Sequence, residues 1–324
     1  MPLMDSMRAA VLTAPRTVKL QSVPRPSVGP GEVRIRLHGC GVCASNLAMW
    51  QGMPWSQYPT EPGSLGHEGW GTIDALGEGV RGIELGDRVA AVSYRSYAEF
   101  DVAQAEAVVK LPPALSQAAF PGEALGCAMN IFRRSRIVPG ETVAIIGVGF
   151  LGAALTRVAA RAGARVLAIS RRPFSLEIAR TMGAHELIPM DDHYRIIERV
   201  KQLTEGKFCD CVIEAVGKQW PLDLAAELVR ERGRLVIAGY HQDGPRQVNM
   251  QLWNWRGLDV INAHERELQA YVAGIEAAID AVLGGVLDPA LLLTHRYPLE
   301  ELGQALDATR DRPDGFLKAM VIYE

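Results

Sequence analysis

The sequence lacks most features that mark an exported, membrane-spanning or nucleic-acid-binding protein. Residues 1–8 contain no basic segment followed by an apolar run, so we expect no export signal. The longest apolar stretch, 143–155, holds three glycines and is too short to cross a bilayer. The net charge is −3, and basic residues are scattered among acidic ones without forming a stripe. We therefore expect a cytoplasmic protein that binds neither membranes nor nucleic acid.

Cysteine is also scarce. Five cysteines are an odd number for a disulfide framework, and a reducing compartment favours burial or metal binding over bridging. Cys209 and Cys211 are two positions apart at the edge of a predicted strand, so we expect both to lie on one face and to be buried in the core.

What the sequence does contain is typical of a compact enzyme with two domains. It has 324 residues, of which 48% are hydrophobic and 22% are charged, and this length exceeds that of most single cores. Short β-rich runs separated by glycine and proline extend to about residue 112. Beyond residue 123, apolar strands alternate with amphipathic segments, which predicts an α/β fold.

Six runs in this second region read as parallel strands of a doubly wound sheet. They are residues 142–146, 165–169, 186–188, 211–215, 234–238 and 258–261. We expect a first domain over residues 1–127, a nucleotide-binding domain over residues 128–266, and a return to the first domain over residues 267–324.

A glycine-rich turn follows the first of these strands and precedes a helical pattern. Gly147 permits a tight turn, Gly149 lets the backbone approach a diphosphate, and Gly152 allows close packing. The diphosphate would lie at a helix start beside unpaired amides, and Phe150 and Leu151 belong to the same turn. The pattern predicts a dinucleotide site; the alternative is a glycine turn without a ligand.

The end of the second strand indicates which dinucleotide is preferred. An NAD site would place an acidic residue there to accept from the ribose hydroxyls, but Ser170, Arg171 and Arg172 occupy these positions. Guanidinium groups suit a 2′-phosphate because they carry a permanent charge and paired donors. We expect NADP in preference to NAD; alternatively, both arginines lie on a solvated loop and select nothing.

Soft metal ligands occur upstream of the glycine turn. A thiolate from Cys43, an imidazole from His67 and a third anionic ligand can hold zinc with one position open. Through that position, zinc can polarise an alcohol or carbonyl oxygen. Together with the dinucleotide turn, this order predicts metal-assisted hydride transfer.

Five separated segments occur in the order seen in one family. They are residues 39–46, 66–69, 86–89, 97–100 and the glycine turn. Over nearly its whole length the chain resembles the zinc-dependent alcohol and polyol dehydrogenases of the medium-chain dehydrogenase/reductase superfamily. The resemblance implies a GroES-like β-rich catalytic domain and a Rossmann domain with a six-stranded parallel sheet.

The resemblance also implies the reaction and the assembly. The expected enzyme is an oxidoreductase that transfers hydride between NADP(H) and a secondary alcohol or polyol, or the corresponding ketone. A homodimer is expected, joined edge to edge through the sheets of the cofactor domains.

The resemblance further implies a set of metal ligands. Cys43 and His67 match the first two ligands, and Glu68 is expected beside the ion as a transient ligand or a supporting neighbour. Cys127 falls where one branch has its third ligand, and Glu123 falls where the polyol branch uses glutamate. Both stay open, with a slight preference for Cys127.

Several positions depart from the family pattern. Ser45 matches the hydroxyl that takes the proton of the substrate, but Asn46 replaces the aspartate that orients the ligand histidine, and Ala48 replaces a relay histidine. The segment 86–97 is short and has no cysteine, so the four-cysteine structural zinc lobe is missing. We therefore expect one zinc per chain.

The remaining candidates come mainly from the same resemblance. Trp50 and Trp55 are expected to wall the substrate pocket, although ordinary packing explains them equally well, and Asn262 and His264 would edge that pocket. Ala215, Val216 and Gly217 are expected beside the nicotinamide, and Lys318 at the pyrophosphate. Two alternatives are a zinc-free quinone or enoyl reductase, which would lack the Cys43 and His67 pair, and a non-catalytic NADP-binding redox sensor.

Overall fold

A computed structural model describes residues 6–323 of the protein. The segment for which we expected no export signal lies mostly outside this range, since residues 1–5 are not described. Among the helices in the described range, none is both long and apolar enough to cross a membrane.

The strands, in chain order, have the following bounds. They are β1 (Ser6–Ala14), β2 (Thr17–Pro24), β3 (Glu32–Gly41), β4 (Gly69–Leu76), β5 (Arg88–Ala91), β6 (Phe100–Gln104), β7 (Val108–Lys110), β8 (Thr142–Ile146), β9 (Arg165–Ser170), β10 (Glu186–Pro189), β11 (Cys209–Glu214), β12 (Val229–Ile237), β13 (Asp259–Asn262), β14 (His295–Pro298) and β15 (Ala319–Ile322).

The α-helices are numbered in the same way. They are α1 (Leu47–Gln51), α2 (Gly122–Ser135), α3 (Phe150–Arg161), α4 (Pro173–Thr181), α5 (His193–Leu203), α6 (Gln219–Leu228), α7 (Met250–Arg256), α8 (Leu268–Leu283), α9 (Pro289–Leu292) and α10 (Leu302–Asp311).

Local chemistry explains several of these bounds. The α5 helix begins after Asp192, whose carboxylate accepts a 2.8 Å hydrogen bond from the amide of Arg195 and so caps the helix start. The α7 helix ends at Gly257, which adopts the left-handed conformation with φ of 58°.

The chain divides into two compact units. The first consists of Met1–Gly126, Arg266–Leu283 and Asp288–Glu324, and the second of Cys127–Glu265 and Gly284–Leu287. In the first unit, β1 pairs with β2, and a larger sheet has the order β14-β15-β3-β4-β5-β7, with β6 also paired to β3. All of these pairs are antiparallel except β14 with β15. This is the β-rich domain expected from the sequence.

The second unit contains the predicted six-stranded parallel sheet. Its strand order is β10-β9-β8-β11-β12-β13, and every neighbouring pair is parallel. The strand order reverses between β8 and β11: β9 and β10 follow β8 on one side of the sheet, and β11, β12 and β13 lie on the other side. In doubly wound folds, ligands bind outside the carboxyl ends of the strands at such a reversal. The doubly wound architecture is confirmed, and it points to the loops after β8 and β11.

Residues of the parallel strands alternate between two buried clusters. On β8, for example, Ile146 belongs to one cluster and Ile145 to the other. Cys209 and Cys211 are both fully buried, but they lie in different clusters, so the prediction that they share a face is wrong. The pairing of β11 with β12 shifts register between these two residues. Such an irregularity changes which face the next residue occupies, and the sequence alone gave no sign of it.

Candidate metal and nucleotide sites

Three potential metal ligands converge in the first unit. The ligand atoms of Cys43, His67 and Glu68 all lie within 4.8 Å of one another. Cys43 follows the end of β3, and the other two residues precede β4. Because β3 and β4 are antiparallel neighbours with Cys40 opposite Gly69, the sheet brings these chain segments together.

The imidazole of His67 is oriented by the backbone. Its Nδ1 lies 2.8 Å from the carbonyl oxygen of Leu65, so Nδ1–H donates there and Nε2 is left for another partner. Burial lowers the pKa of His67, but the hydrogen bond and charge of Cys43, together with the charges of Glu123 and Glu68, outweigh burial and raise the pKa to about 10. Without a metal, His67 therefore keeps a second proton at neutral pH.

Glu68 forms a buried ion pair with Lys318. The Glu68 side chain is 1% exposed and that of Lys318 is 6% exposed, and the ammonium lies 2.9 Å from Oε1 and 2.8 Å from Oε2. Lys318 also donates to the carbonyl of Val42 at 3.3 Å. Burial lowers the pKa of Lys318, whereas the nearby charges of Glu68 and Cys43 raise it. The net shift of the pKa is upward. The ammonium of Lys318 is thus held by Glu68. Its contact with the pyrophosphate of the cofactor stays a prediction.

Asn46 acts on His67 through the same backbone carbonyl. Its Nδ2 donates to the oxygen of Leu65 at 3.1 Å, and its Oδ1 accepts from the hydroxyl of Tyr97 at 2.8 Å. Leu65 has φ of 73°, a conformation uncommon for a residue with a side chain. An amide can donate one bond and accept the other, whereas an ionised aspartate could only accept. The sequence pointed to Asn46 and to the segment 97–100, but not to this connection.

The two candidates for a further ligand both lie on α2. Glu123 is in the first turn, within the first unit, and its charge contributes to the raised pKa of His67. Cys127 lies one turn later, at the start of the second unit. The choice between them stays open. Ser45 is half-buried in the 3-10 turn that follows Cys43.

The two tryptophans expected at the substrate pocket have different surroundings. Trp50 is 2% exposed, and its Nε1 donates to Asp307 at 2.9 Å, between α1 and α10. A β-carbon at Gly303 would lie 3.4 Å from its ring. These contacts favour the packing interpretation of Trp50. Trp55 is 58% exposed.

In the second unit, the glycine turn has the geometry that its sequence predicts. Gly147 has φ of 93°, and a β-carbon there would lie 2.4 Å from Cγ2 of Val216. A β-carbon at Gly152 would lie 2.0 Å from the carbonyl oxygen of Gly147, so this position must stay small. A β-carbon at Gly149 would meet no atom within 4 Å. The turn is therefore tight at its first and third glycines and open at its second, as a diphosphate cradle requires.

The other predicted cofactor residues lie around the carboxyl ends of the strands. Ser170 is buried at the end of β9, Arg171 is exposed, and Arg172 is half-buried just before α4. Ala215 and Val216 are half-buried after β11, and Gly217 is buried with φ of 80°. Asn262 and His264, which are predicted at the edge of the substrate pocket, lie at and beyond the end of β13 and are exposed, and the ring of His264 lies 5.9 Å from that of Tyr240.

Together, the two units define a class of protein: a nucleotide-dependent dehydrogenase with a thiol, imidazole and carboxylate centre in its β-rich unit. Comparison with known families agrees with this class. Residues 151–285 match the model of zinc-binding dehydrogenases, and residues 29–113 match that of the alcohol dehydrogenase GroES-like domain.

Individual relatives are similar over most of their length. The chain is 27% identical to a sorbitol dehydrogenase of Bacillus subtilis, covering 98% of this chain and 97% of the relative. It is 30% identical to an alcohol dehydrogenase of Geobacillus stearothermophilus, covering 72% and 77%. The solved alcohol dehydrogenase of Thermus sp. ATN1 aligns with a TM-score of 0.82 and 28% identity, covering 98% of this chain and 100% of that one. The protein belongs to the alcohol and polyol dehydrogenases of the medium-chain dehydrogenase/reductase superfamily.

The glycine turn gives a first prediction. Gly149→Ser should weaken NADPH binding about tenfold because its side chain enters the space left for the diphosphate. The free energy of unfolding should change by less than about 0.5 kcal/mol, because nothing lies within 4 Å and serine is a good residue at a helix start. Fluorescence titration with NADPH would measure the binding, and urea unfolding would measure the stability.

In the matched variant Gly152→Ala, the clash with the carbonyl oxygen of Gly147 should instead lower the free energy of unfolding by about 1–3 kcal/mol. Unchanged NADPH binding by Gly149→Ser would exclude this turn as the diphosphate site.

The hydrogen bonds that Asn46 makes with Leu65 and Tyr97 give a second prediction. Tyr97→Phe removes the donor to Oδ1 of Asn46 and should cost about 1–3 kcal/mol of unfolding free energy, since it leaves a buried acceptor unpaired. Tyr94→Phe is the matched control because Tyr94 is 66% exposed, and it should have almost no effect. Urea unfolding of the metal-free protein measures both variants. Equal stability of the two would show that the Tyr97 hydroxyl does not support Asn46.

Proposed function

We propose that the protein is a zinc-dependent dehydrogenase that prefers NADP(H) and interconverts a secondary alcohol or polyol with its ketone. The observation that carries this proposal is the convergence of Cys43, His67 and Glu68 within 4.8 Å in a chain that also holds an open glycine turn. Thiolate, imidazole and carboxylate are the donors that zinc takes in proteins. The name of the Bacillus subtilis relative, sorbitol dehydrogenase, supports a polyol as one substrate class.

Each proposed catalytic residue has a definite task. Zinc held by Cys43 and His67 would act as a Lewis acid on the substrate oxygen, and NADP would supply or accept the hydride. Ser45, two residues after Cys43, would accept the hydroxyl proton of the substrate while passing its own hydroxyl proton to water or to the cofactor ribose. The Leu65 carbonyl fixes the tautomer of His67 so that Nε2 is the ligand atom. The ion pair with Lys318 holds the carboxylate of Glu68 in place beside the centre.

Preference for NADP is supported by the residues after β9. The strand ends at Ser170 and is followed by Arg171 and Arg172, with no carboxylate among them, and Arg171 is exposed where its guanidinium can bind a 2′-phosphate. We propose one zinc per chain, with Cys127 or Glu123 as the additional ligand. We also propose that the protein works in the cytoplasm as a homodimer, in which the edge strand β13 pairs with its copy.

Metal analysis combined with activity tests this function directly. We expect about one zinc per chain and faster oxidation of NADPH than of NADH over a panel of ketones and ketoses. Cys43→Ser should lose the metal and at least about a hundredfold in activity, since one of the protein ligands is gone. Cys40→Ala, three residues away, is the matched control and should keep its zinc.

Two outcomes would point to other functions. Equal activity of the Cys43→Ser variant and the unaltered protein would favour a zinc-free reductase. Cofactor binding with neither metal nor turnover would favour a redox sensor.

The pKa of His67 predicts how zinc binding depends on pH. Zinc needs the neutral imidazole, but the metal-free centre holds the pKa of His67 at about 10, so binding must expel a proton. Between pH 6 and pH 9, the apparent affinity for zinc should therefore rise about tenfold per pH unit for this proton. Competition with a chelator, corrected for its own protonation, measures the slope. An affinity that does not change with pH would argue against His67 as a ligand.

A further inference from the structure

A buried carboxylate lies at the carboxyl end of β11, next to the point where the strand order of the sheet reverses. Glu214 has no exposed surface. Its Oε1 accepts from the amides of Val216 at 2.7 Å and Gly217 at 2.8 Å, and its Oε2 lies 3.0 Å from Nε2 of His241. A carboxylate is buried at low cost only when such donors surround it. Glu214 therefore fixes the turn that follows its own strand.

Arg246 determines the tautomer of His241. The Nε–H of Arg246 donates to Nδ1 of His241 at 2.8 Å, and a guanidinium has donors only. Nδ1 must therefore accept, and Nε2 carries the proton that His241 donates to Glu214. Arg246 also donates through Nη2 to the carbonyl of Gly217 at 2.9 Å. Glu214 and Arg246 thus hold the amide and the carbonyl of Gly217, and His241 connects the two.

The positive charge of Arg246 is paired with the negative charge of an exposed acidic residue, Asp243. Asp243 forms ion pairs with both Arg246 and Lys218. Hydrogen bonds from these two cations hold the pKa of Asp243 well below its ordinary value, so it stays ionised. The side chain of Arg246 is 15% exposed, and Asp243 keeps it aligned with His241.

Three turns meet at this point. A β-carbon at Gly239, after β12, would lie 2.2 Å from the amide nitrogen of Gly217, and one at Gly217 would lie 2.6 Å from the carbonyl oxygen of Tyr240. On the other side, Val216 contacts the first glycine of the nucleotide turn, Gly147. The turn of residues 215–217 therefore packs between the glycine turn and the segment 239–246.

We infer that Glu214, His241 and Arg246 are positioning residues that hold the backbone of Val216 and Gly217 in the conformation that binds the dinucleotide. The inference rests on the proposed nucleotide site of the second unit and adds the network that shapes it. None of the three side chains needs to touch the cofactor. Their effect is transmitted through the backbone of residues 216–217.

The test is His241→Phe, which fills a similar volume but cannot make either hydrogen bond. We expect the dissociation constant for NADPH, measured by fluorescence titration, to rise about tenfold, with KM for NADPH rising more than kcat falls. Hydrogen exchange at the amides of Val216 and Gly217 should accelerate in the nucleotide-free protein. His241→Gln should restore binding to within about threefold, because a carboxamide can both donate to Glu214 and accept from Arg246.

His193→Phe is the matched control. His193 lies in the same unit and also joins a donor to a carboxylate, accepting from Trp220 at 3.0 Å and lying 3.3 Å from Glu227, but it bridges α5 and α6. Its substitution should leave NADPH affinity unchanged. If His241→Phe does not fold, Arg246→Met removes the guanidinium that donates to His241 and to Gly217, and it should also weaken NADPH binding.

The possible outcomes separate the inference from the function on which it rests. Unchanged NADPH affinity in His241→Phe, or an equal loss in His193→Phe, overturns the inference while nucleotide binding by the unaltered protein stands. If the unaltered protein binds neither NADPH nor NADH, the proposed function fails and the inference fails with it. Selective weakening with rescue by His241→Gln supports the inference.

Discussion

The ion pair between Glu68 and Lys318 is the contact on which the candidate metal centre depends. Removing one partner of a buried pair leaves an uncompensated charge and typically costs about 3–5 kcal/mol. Because Lys318 also donates to the carbonyl of Val42, the pair ties together the segments before β15, before β4 and after β3. A β-carbon at Gly41 would lie 1.8 Å from Oε2 of Glu68, so the ion pair also requires a glycine there.

Both units use buried polar side chains to fix a short piece of backbone. In the first unit, Asn46 and His67 donate to the carbonyl of Leu65, and that backbone atom decides which nitrogen of His67 faces Cys43. In the second unit, Glu214 accepts from the amides of the turn that touches the nucleotide loop. Low polarity inside the protein makes an unpaired group costly, so each network tolerates one arrangement. This is how conformational precision arises in segments that are neither helix nor strand.

Much of the fold could be predicted because it depends on local patterns. The central strands β8, β9 and β11 are apolar runs buried on both faces, and a side chain at Gly147 or Gly152 would clash with its neighbours in the glycine turn. The positions of Cys209 and Cys211 could not be predicted, because the irregularity between them depends on how β11 pairs with β12. The packing of Trp50 depends on Asp307, which is 257 residues away along the chain.

By itself, the sequence determined the chemical types available: thiol, imidazole and carboxylate donors, an open glycine turn, and arginines in place of an acid after β9. These properties belong to single residues and their near neighbours, so they can be read without coordinates. Only the tertiary structure decided the partners. It placed Lys318 on Glu68 across 250 positions, joined Tyr97 to Asn46 across 51, and brought His241 to Glu214 across 27. Hydrogen bonds and ion pairs act over a few ångströms, and the distances between these side chains are set by strand pairing and packing.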